Sequence, residues 1–83
     1  MLEELKQGPI VVGLKQLKKA LKDRTVKKVF LSRDAEPRLI DPIAKQCESD
    51  GIEVEWVTTM AELGAASGIE VGAAAAALIK EAG

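Results

Sequence analysis

The fold class of this chain is decided by the stretch IVVGLKQLKKALK at residues 10–22. Its first three residues (10–12) form a β-branched run that is typical of a short buried strand. Gly13 follows directly, and over residues 14–22 leucines recur at helical spacing while lysines occupy the opposite face. The stretch therefore predicts a strand that passes through a glycine into an amphipathic helix, the alternation from which layered α/β domains are built.

The rest of the chain continues this alternation of strands and helices. Predicted strands cover residues 26–31 and 52–57, predicted helices cover 37–49 and 59–67, and residues 2–7 form a short helical turn. Pro37 suits the first position of a helix, whereas Pro42 is expected to kink that helix or shift its start. Thr59 and Glu62 form a capping box, and Gly68 predicts the end of the helix that they begin.

Residues 73–80 permit two interpretations. Alanine has the highest helix propensity, so a run of five alanines favours a helix. The segment is also uniformly apolar and follows a glycine-flanked loop at 69–72, which favours a buried strand that completes a sheet. Local pattern leaves both interpretations open.

Length and composition indicate one globular domain. The 83 residues fit a single domain over 1–83, and 47% apolar with 30% charged residues is globular rather than disordered. No apolar run reaches the roughly 20 residues that span a bilayer, and the N-terminus lacks the pattern of a signal peptide. Cys47 is the single cysteine, which suits a reducing compartment. We therefore expect a monomeric, cytoplasmic protein without a membrane partner.

Charge is distributed unevenly along the chain. Residues 1–33 carry nine Lys or Arg and three acids, a net charge of +6, whereas residues 34–83 carry three basic residues and ten acids, a net charge of −7. This asymmetry suggests a polyanionic partner for the first part. Two solvated helix faces of opposite sign would produce the same count, so charge alone leaves both interpretations open.

The sequence contains no strong catalytic motif. The chain has no histidine, which excludes His-based metal sites and Ser-His or Cys-His pairs. Glu53 and Glu55 lie at strand spacing, which a solvated strand face explains better than a carboxylate pair for catalysis or metal binding. Cys47 falls on the apolar face of its helix, as a core residue does. We therefore expect no enzymatic activity, no cofactor and no metal.

The strand-to-helix junction at Gly13 is the strongest candidate site. A helix N-terminus presents free N–H groups and a positive dipole end, which suit anions. Gly13 has no side chain, so a ligand could approach closely. Lysines at positions 15 and 19 supply charge for phosphates, and Gln16 can hydrogen-bond a base edge. An ordinary amphipathic helix start explains the same spacing equally well.

Three segments together resemble a known family. They are Val11-Val12-Gly13-Leu14-Lys15-Gln16-x-x-Lys19-Ala20-Leu21, Asp34-Ala35-Glu36-Pro37 and Leu63-Gly64-x-Ala66-x-Gly68-Ile69-Glu70-Val71-Gly72-Ala73-Ala74-Ala75. In this order and at these separations the chain resembles the ribosomal protein L7Ae family of kink-turn RNA-binding proteins, over about residues 8–80. It is most similar to the short bacterial branch, in which Lys-Gln stands where archaeal and eukaryotic members have Asn-Glu.

The resemblance implies a fold and a ligand. The family fold is a three-layer α/β/α sandwich around a four-stranded mixed sheet, in which residues 74–80 would be the last strand. The implied partner is structured RNA, a kink-turn with a sharp bend flanked by sheared G·A pairs, with the ribosome as one setting. Proteins favour such distorted RNA because the groove of a regular A-form helix is too narrow for side chains.

The resemblance also implies an RNA-binding surface. Its residues are Gly13, Leu14, Lys15, Gln16, Lys19, Glu36, Ile69, Glu70 and Val71. Lys15 and Gln16 would meet the edges of the G·A pairs, and Lys19 would contact a phosphate. Glu36 would contact the flipped-out base, and the loop 69–71 would pack against that base.

Four positions depart from the family pattern. Leu14 and Leu17 stand where the family usually has small or hydroxyl residues. Ala65 stands where a basic residue is common, and Asp23 lies near a position that is often basic or glycine. These changes remove polar contacts and charge, so we expect them to lower RNA affinity. The alternative is a protein-interaction module of the same fold with weak or lost RNA binding, in which Leu14 and Leu17 extend an apolar patch.

Overall fold

The computed structural model describes Leu5, Lys6 and residues 8–80. Its elements are the strands β1 (Ile10–Val12), β2 (Val26–Ser32), β3 (Glu53–Val57) and β4 (Ala75–Ile79) and the helices α1 (Leu14–Lys22), α2 (Pro37–Asp50) and α3 (Met60–Ala66). Leu5 and Lys6 form a 3₁₀ turn; the rest of the helical turn predicted over 2–7 lies outside the described residues. Among the described residues, no helix has the length and apolar character that crossing a membrane requires.

The four strands form one mixed sheet in the order β1-β4-β2-β3. Strands β2 and β3 are parallel and are joined by α2, as a parallel pair requires a crossover connection. Strand β4 is antiparallel to both β1 and β2. This arrangement confirms the predicted α/β fold with a four-stranded mixed sheet.

Strand β4 resolves the ambiguous alanine segment. It lies between β1 and β2, so both of its edges are hydrogen-bonded, and three consecutive alanines (75–77) are fully buried. A helix in this position would leave the inner edges of β1 and β2 without partners. That cost exceeds the helix preference of alanine, which is below about 1 kcal/mol per residue relative to ordinary residues. The interpretation as a strand is therefore confirmed.

Helices cover both faces of the sheet and create two cores. The larger core, between the sheet and the pair α1 and α2, includes Leu17, Leu21, Val29, Leu31, Ile40, Ile43 and Cys47. The smaller core, between the sheet and α3, includes Leu5, Phe30, Val57, Leu63 and Leu78. Burial, together with the nearby charge of Asp50, raises the pKa of the Cys47 thiol. Cys47 is therefore the core residue that its spacing predicted, and its thiol stays protonated.

Helix α2 begins at Pro37, as predicted, and continues through Pro42 without a shifted start. Pro42 has no N–H to donate to the carbonyl of Arg38, the acceptor one turn earlier. Both residues are exposed, so water can satisfy that carbonyl. The outward side of this helix also carries Leu39, a residue that is 44% exposed.

Candidate nucleic-acid interface

The predicted binding residues come from three parts of the chain that meet at one end of the sheet. At this end β1 leads into α1, β2 leads into the loop 33–36, and the loop 68–74 leads into β4. The N–H of Gly13 donates to the carbonyl of Ala75 at 2.8 Å, which ties the start of α1 to the start of β4. The sheet thus brings together segments that are far apart in sequence.

Gly13 directs the chain from β1 into α1. Its φ of 99° and ψ of 153° lie in a region that glycine alone adopts readily. The first bond within the helix runs from the N–H of Leu17 to the carbonyl of Gly13, at 3.0 Å. The N–H groups of Leu14, Lys15 and Gln16 precede that bond, and among the described residues no capping side chain occupies the helix start. The start of α1 therefore offers free donors at the positive end of its dipole.

The outward face of α1 is basic. Lys15, Gln16 and Lys19 are exposed on this face, and the first turn contains no acidic residue. Lys18 and Lys22 are also exposed and extend the basic face toward the end of the helix. These charges lie where an anion at the start of α1 would be attracted.

Ser32 joins two of the converging loops. The side chain is fully buried, and its Oγ donates to the carbonyl of Ala73 at 2.6 Å. The N–H of Ser32 donates to the carbonyl of Ala74 at 2.9 Å. One residue beyond, the N–H of Arg33 donates to the carbonyl of Val57 at 2.8 Å, which adds the end of β3 to the same region.

One of its two acids, Asp34, anchors the loop 33–36. One carboxylate oxygen of Asp34, Oδ1, accepts the N–H of Met60 at 2.8 Å, which fixes the loop to the start of α3. Glu36 is exposed, and its carboxylate accepts a hydrogen bond from Nε of Arg38 at 2.8 Å. An exposed ion pair of this kind contributes about 1 kcal/mol at most. Glu36 can therefore exchange Arg38 for another donor at little cost.

The loop 68–72 runs back along α3. The N–H of Ile69 donates to the carbonyl of Gly64 at 3.0 Å, and the N–H of Ala73 donates to the carbonyl of Met60 at 2.9 Å. These two bonds hold the loop against α3 at both of its ends.

Gly64 allows this close approach. A Cβ at residue 64 would lie 2.1 Å from the carbonyl oxygen of Val71, far inside van der Waals contact. The Ile69 side chain packs against the smaller core, whereas Glu70 is exposed and Val71 is 71% exposed. The loop therefore presents an apolar side chain to solvent from a backbone that α3 holds in place.

The sequence pattern assigned no role to two residues that hold this region together, Ser32 and Gly64. A serine at the end of an otherwise apolar strand is a weak signal, since its partner is remote in sequence. Gly64 carries a stronger signal, because a glycine inside a predicted helix often marks close packing.

The expectations for Leu17, one of the departures from the family pattern, are wrong, and those for Leu14 stay predictions. Leu17 is fully buried in the larger core, and Leu14 is half-buried against it. Leu17 therefore removes no polar contact from an outward surface, and it cannot extend the apolar patch that the protein-interaction alternative required. Ala65 and Asp23 are exposed, so their expected effect on affinity stays a prediction.

Lys28 does not belong to the basic face, although it contributes to the positive charge of the first part of the chain. Its Nζ lies 3.2 Å from Oε2 of Glu53 and 3.0 Å from Oε1 of Glu55, and its side chain is only 11% exposed. We expected Glu53 and Glu55 to form a solvated strand face. Instead, both acids pair with Lys28 and neutralise its charge. Desolvation raises the pKa of Glu55, but opposing interactions that include the hydrogen bond from Lys28 leave this pKa below its ordinary value.

Comparison with known proteins agrees with the fold. The model of the Ribosomal protein L7Ae/L30e/S12e/Gadd45 family matches residues 2–83. An RNA-binding protein of Bacillus pumilus (strain SAFR-032) is 43% identical over 70 residues, which cover 84% of this chain and 85% of that protein. The large ribosomal subunit protein eL8 of Halobacterium salinarum is 36% identical over 73 residues, which cover 87% of this chain and 61% of that protein.

Solved structures have the same architecture. The Giardia lamblia 15.5kD RNA binding protein has a TM-score of 0.87 at 22% identity, covering 96% of this chain and 71% of that one, and so supports the fold. A Bacillus halodurans protein with unknown function has a TM-score of 0.77 at 27% identity, covering 98% of this chain and 78% of that one. The two relatives are named as an RNA-binding protein and a ribosomal protein. The chain belongs to the Ribosomal protein L7Ae/L30e/S12e/Gadd45 family.

Proposed function

We propose that this chain binds kink-turn RNA through a surface formed by the start of α1, Glu36 and the loop 69–71. The observation that carries the proposal is the convergence of these three segments at one end of the sheet. The bonds from Gly13 to Ala75 and from Ser32 to Ala73 join the segments into one surface. Relatives named RNA-binding proteins support the class of ligand.

The surface has the chemistry that a bent RNA requires. Free N–H groups and the charges of Lys15 and Lys19 suit phosphates, and Gln16 suits a base edge. Glu36 can accept hydrogen bonds from the amino or imino groups of a base. Val71, which is 71% exposed, offers an apolar contact to a base that has left the stack.

Selectivity for bent RNA is the central test. We expect the wild-type chain to shift a kink-turn RNA in a gel at much lower protein concentration than a straight duplex of the same base composition. The reason is that most contacts proposed here require splayed or sheared bases. Equal affinity for both RNAs, or binding to neither, would contradict the proposal.

The chain contains a matched control for its proposed contacts. Replacing both Lys15 and Gln16 with alanine should weaken kink-turn binding by tenfold or more, since one good base contact is worth about 1–3 kcal/mol. Lys45 and Gln46 form the same exposed pair on α2, and Gln46 lies near Lys80, at the other end of β4 from the proposed surface. Alanine at both control positions should leave affinity near wild type; equal losses in the two variants would show that the surface is wrongly assigned.

Salt dependence tests the phosphate contact. We expect Lys19→Ala to reduce the slope of log affinity against log salt concentration by about 0.7–0.9, the value for one lost phosphate contact. The measurement is an affinity series over salt for wild type and variant. An unchanged slope would remove Lys19 from the phosphate-binding surface.

The proposal extends to the ribosome, because one relative is a large ribosomal subunit protein. A chain that binds ribosomal RNA would act in the cytoplasm, and we expect it to do so as a monomer. Co-sedimentation with ribosomal subunits from a lysate checks the first expectation, and equilibrium sedimentation of the purified chain checks the second. Absence from every ribosomal fraction would leave a non-ribosomal RNA as the target.

A further inference from the structure

The single tryptophan of the chain lies at the surface beside an arginine. Trp56 is 38% exposed, and the guanidinium carbon of Arg33 lies 5.7 Å from the centroid of its ring, within cation–π distance. Exposed aromatic rings of this kind are enriched at binding surfaces, because covering the ring is favourable and its polar edge can stay hydrogen-bonded. The pair is outside the surface proposed above.

The pair lies at the same end of the sheet as that surface. Trp56 is opposite Leu31 in the parallel ladder, and Arg33 directly follows β2, where its N–H bonds to Val57. Strands β1 and β3 are three strand spacings apart, about 14 Å. An RNA bound at Gly13 would therefore need only a short extension across this end of the sheet to reach Trp56.

The charge of Arg33 is available to an anion. Within the described part of the chain, its guanidinium takes part in no ion pair. Of the two acids in the loop that follows it, Asp34 accepts the N–H of Met60 and Glu36 accepts a hydrogen bond from Arg38. A guanidinium plane can stack on an aromatic ring and on a nucleobase, while its edge hydrogen-bonds phosphate.

We propose that the Trp56–Arg33 pair is a second RNA-binding site, which holds an unpaired nucleobase of single-stranded RNA next to the bent element. The base stacks on the pair, and Arg33 contacts the adjoining phosphate. Aromatic rings combined with cations hold single strands in this way with little sequence preference. Arg33 forms no ion pair with the described residues, and the site lies at the same end of the sheet as the surface at the start of α1. Both features favour RNA over a protein as the occupant. The claim that one RNA occupies both sites rests on the proposed function.

Trp56 supplies its own reporter, because the chain contains one tryptophan and no tyrosine. The wild-type chain is titrated with a blunt kink-turn RNA, with the same RNA carrying a short single-stranded extension, and with a single-stranded oligonucleotide alone. We expect the extension to raise affinity about 5- to 150-fold, the range that one base–aromatic stack provides. We also expect the extended RNA to quench the fluorescence of Trp56 and the blunt RNA to leave it unchanged.

Variants separate stacking from charge and from damage to the fold. Trp56→Ala should lose the gain from the extension and keep the affinity for blunt RNA, whereas Trp56→Phe, which preserves a ring and the packing, should keep part of the gain. Arg33→Lys preserves the charge but removes the planar guanidinium, and it should also keep only part of the gain in affinity from the extension. Leu39→Ala, at another exposed apolar side chain, is the control and should behave as wild type.

The outcomes distinguish this proposal from the proposed function. Equal affinity for blunt and extended RNA, with unchanged fluorescence, would overturn the second site alone and leave the Trp56 surface to a protein partner. A different result would overturn the proposed function alone. In that case the chain does not bind kink-turn RNA, the single-stranded oligonucleotide quenches the fluorescence of Trp56, and Trp56→Ala lowers the affinity for that oligonucleotide. No binding to any of the three RNAs would overturn both.

Discussion

Glycines control the path of the chain at the proposed RNA surface in two different ways. At Gly64 the reason is steric, because the carbonyl of Val71 occupies the space of a side chain. At Gly13 a Cβ would meet nothing within 4 Å, and the reason is the backbone conformation, φ 99° and ψ 153°. Substitutions should therefore act through a steric clash at Gly64 and through backbone strain at Gly13.

Replacing Gly64 with alanine should displace the loop 69–72. The clash with Val71 should cost about 1–3 kcal/mol, of which up to about 1 kcal/mol is offset by the higher helix propensity of alanine. We expect a lower thermal midpoint and a larger relative loss of kink-turn affinity than Lys19→Ala causes. Gly8→Ala is the control, since a Cβ there meets nothing within 4 Å. Wild-type affinity in the Gly64 variant would show that the loop makes no contact with RNA.

Replacing Gly13 with alanine should destabilise the chain through backbone strain alone. Its conformation lies in a region nearly restricted to glycine, where other residues incur about 1–3 kcal/mol. Gly51 has φ 71° and ψ 26°, in the left-handed helical region that other residues visit more easily. Denaturant unfolding should therefore give a larger loss of stability for Gly13→Ala than for Gly51→Ala. The reverse order would contradict the strain assigned to Gly13.

The elements follow local pattern closely where the pattern is strong. The predicted helix at 14–22 has the same bounds as α1, and the predicted strand at 26–31 differs from β2 by one residue. Both have a clear apolar period and clear end signals. Local pattern does not decide the alanine segment, because propensity and burial point in opposite directions there, and only the neighbouring strands determine which dominates.

Helix α1 ends in an arrangement that usually contains glycine. The N–H of Thr25 donates to the carbonyl of Ala20 at 3.1 Å, and that of Arg24 to the carbonyl of Leu21 at 3.2 Å. This Schellman pattern requires a left-handed residue, here Arg24 with φ 57°. Arg24 is therefore a strained position at the end of an otherwise regular element.

Arg24→Gly should stabilise the chain. Removal of the left-handed strain gains about 1–2 kcal/mol, and the greater freedom of glycine in the unfolded state offsets about 0.5–1 kcal/mol of it. We expect a higher thermal midpoint, with Asp23→Gly as the control. Asp23 has an ordinary helical conformation, φ −80°, so glycine there should lower the midpoint. A lower midpoint for both variants would show that Arg24 makes stabilising contacts that outweigh its strain.

At the scale of the whole molecule, charge is sorted between the surface and the sheet. The lysines of α1 face solvent, whereas Lys28 lies between Glu53 and Glu55 and links β2 to the edge strand β3. The positive charge counted over residues 1–33 therefore overstates what an RNA can reach. Folding, not composition, determines which cations serve binding and which serve the sheet.

The pairing of Glu55 predicts a specific dependence of stability on pH. Its pKa is lowered in the folded chain, so its stabilising contribution is complete above the ordinary value of 4.5 and is lost as pH falls through the folded pKa. Glu55→Gln should therefore reduce the free energy of unfolding at neutral pH by about 1 kcal/mol or less after solvent screening, which is measured as a lower thermal midpoint. On acidification below pH 4.5, this variant should lose less additional stability than the wild type.

Glu53→Gln is the control for that measurement. The Glu53 side chain is 71% exposed, so solvent screens its interaction with Lys28 and the variant should differ less from wild type. Identical acid profiles for wild type and Glu55→Gln would show that the pairing adds nothing to stability.

The sequence by itself determined the alternation of strands and helices, the bounds of α1 and the glycine at its start, because each depends on periodicity and conformational preference within a few residues. Only the tertiary structure decided that residues 75–79 form a central strand, that Lys28 is withdrawn from the basic face, and that the loop 69–72 lies against Gly64. Those outcomes depend on hydrogen bonds, ion pairs and steric contacts between residues that local pattern does not connect. The surface proposed for RNA is therefore encoded locally in its helix and globally in the loops that surround it.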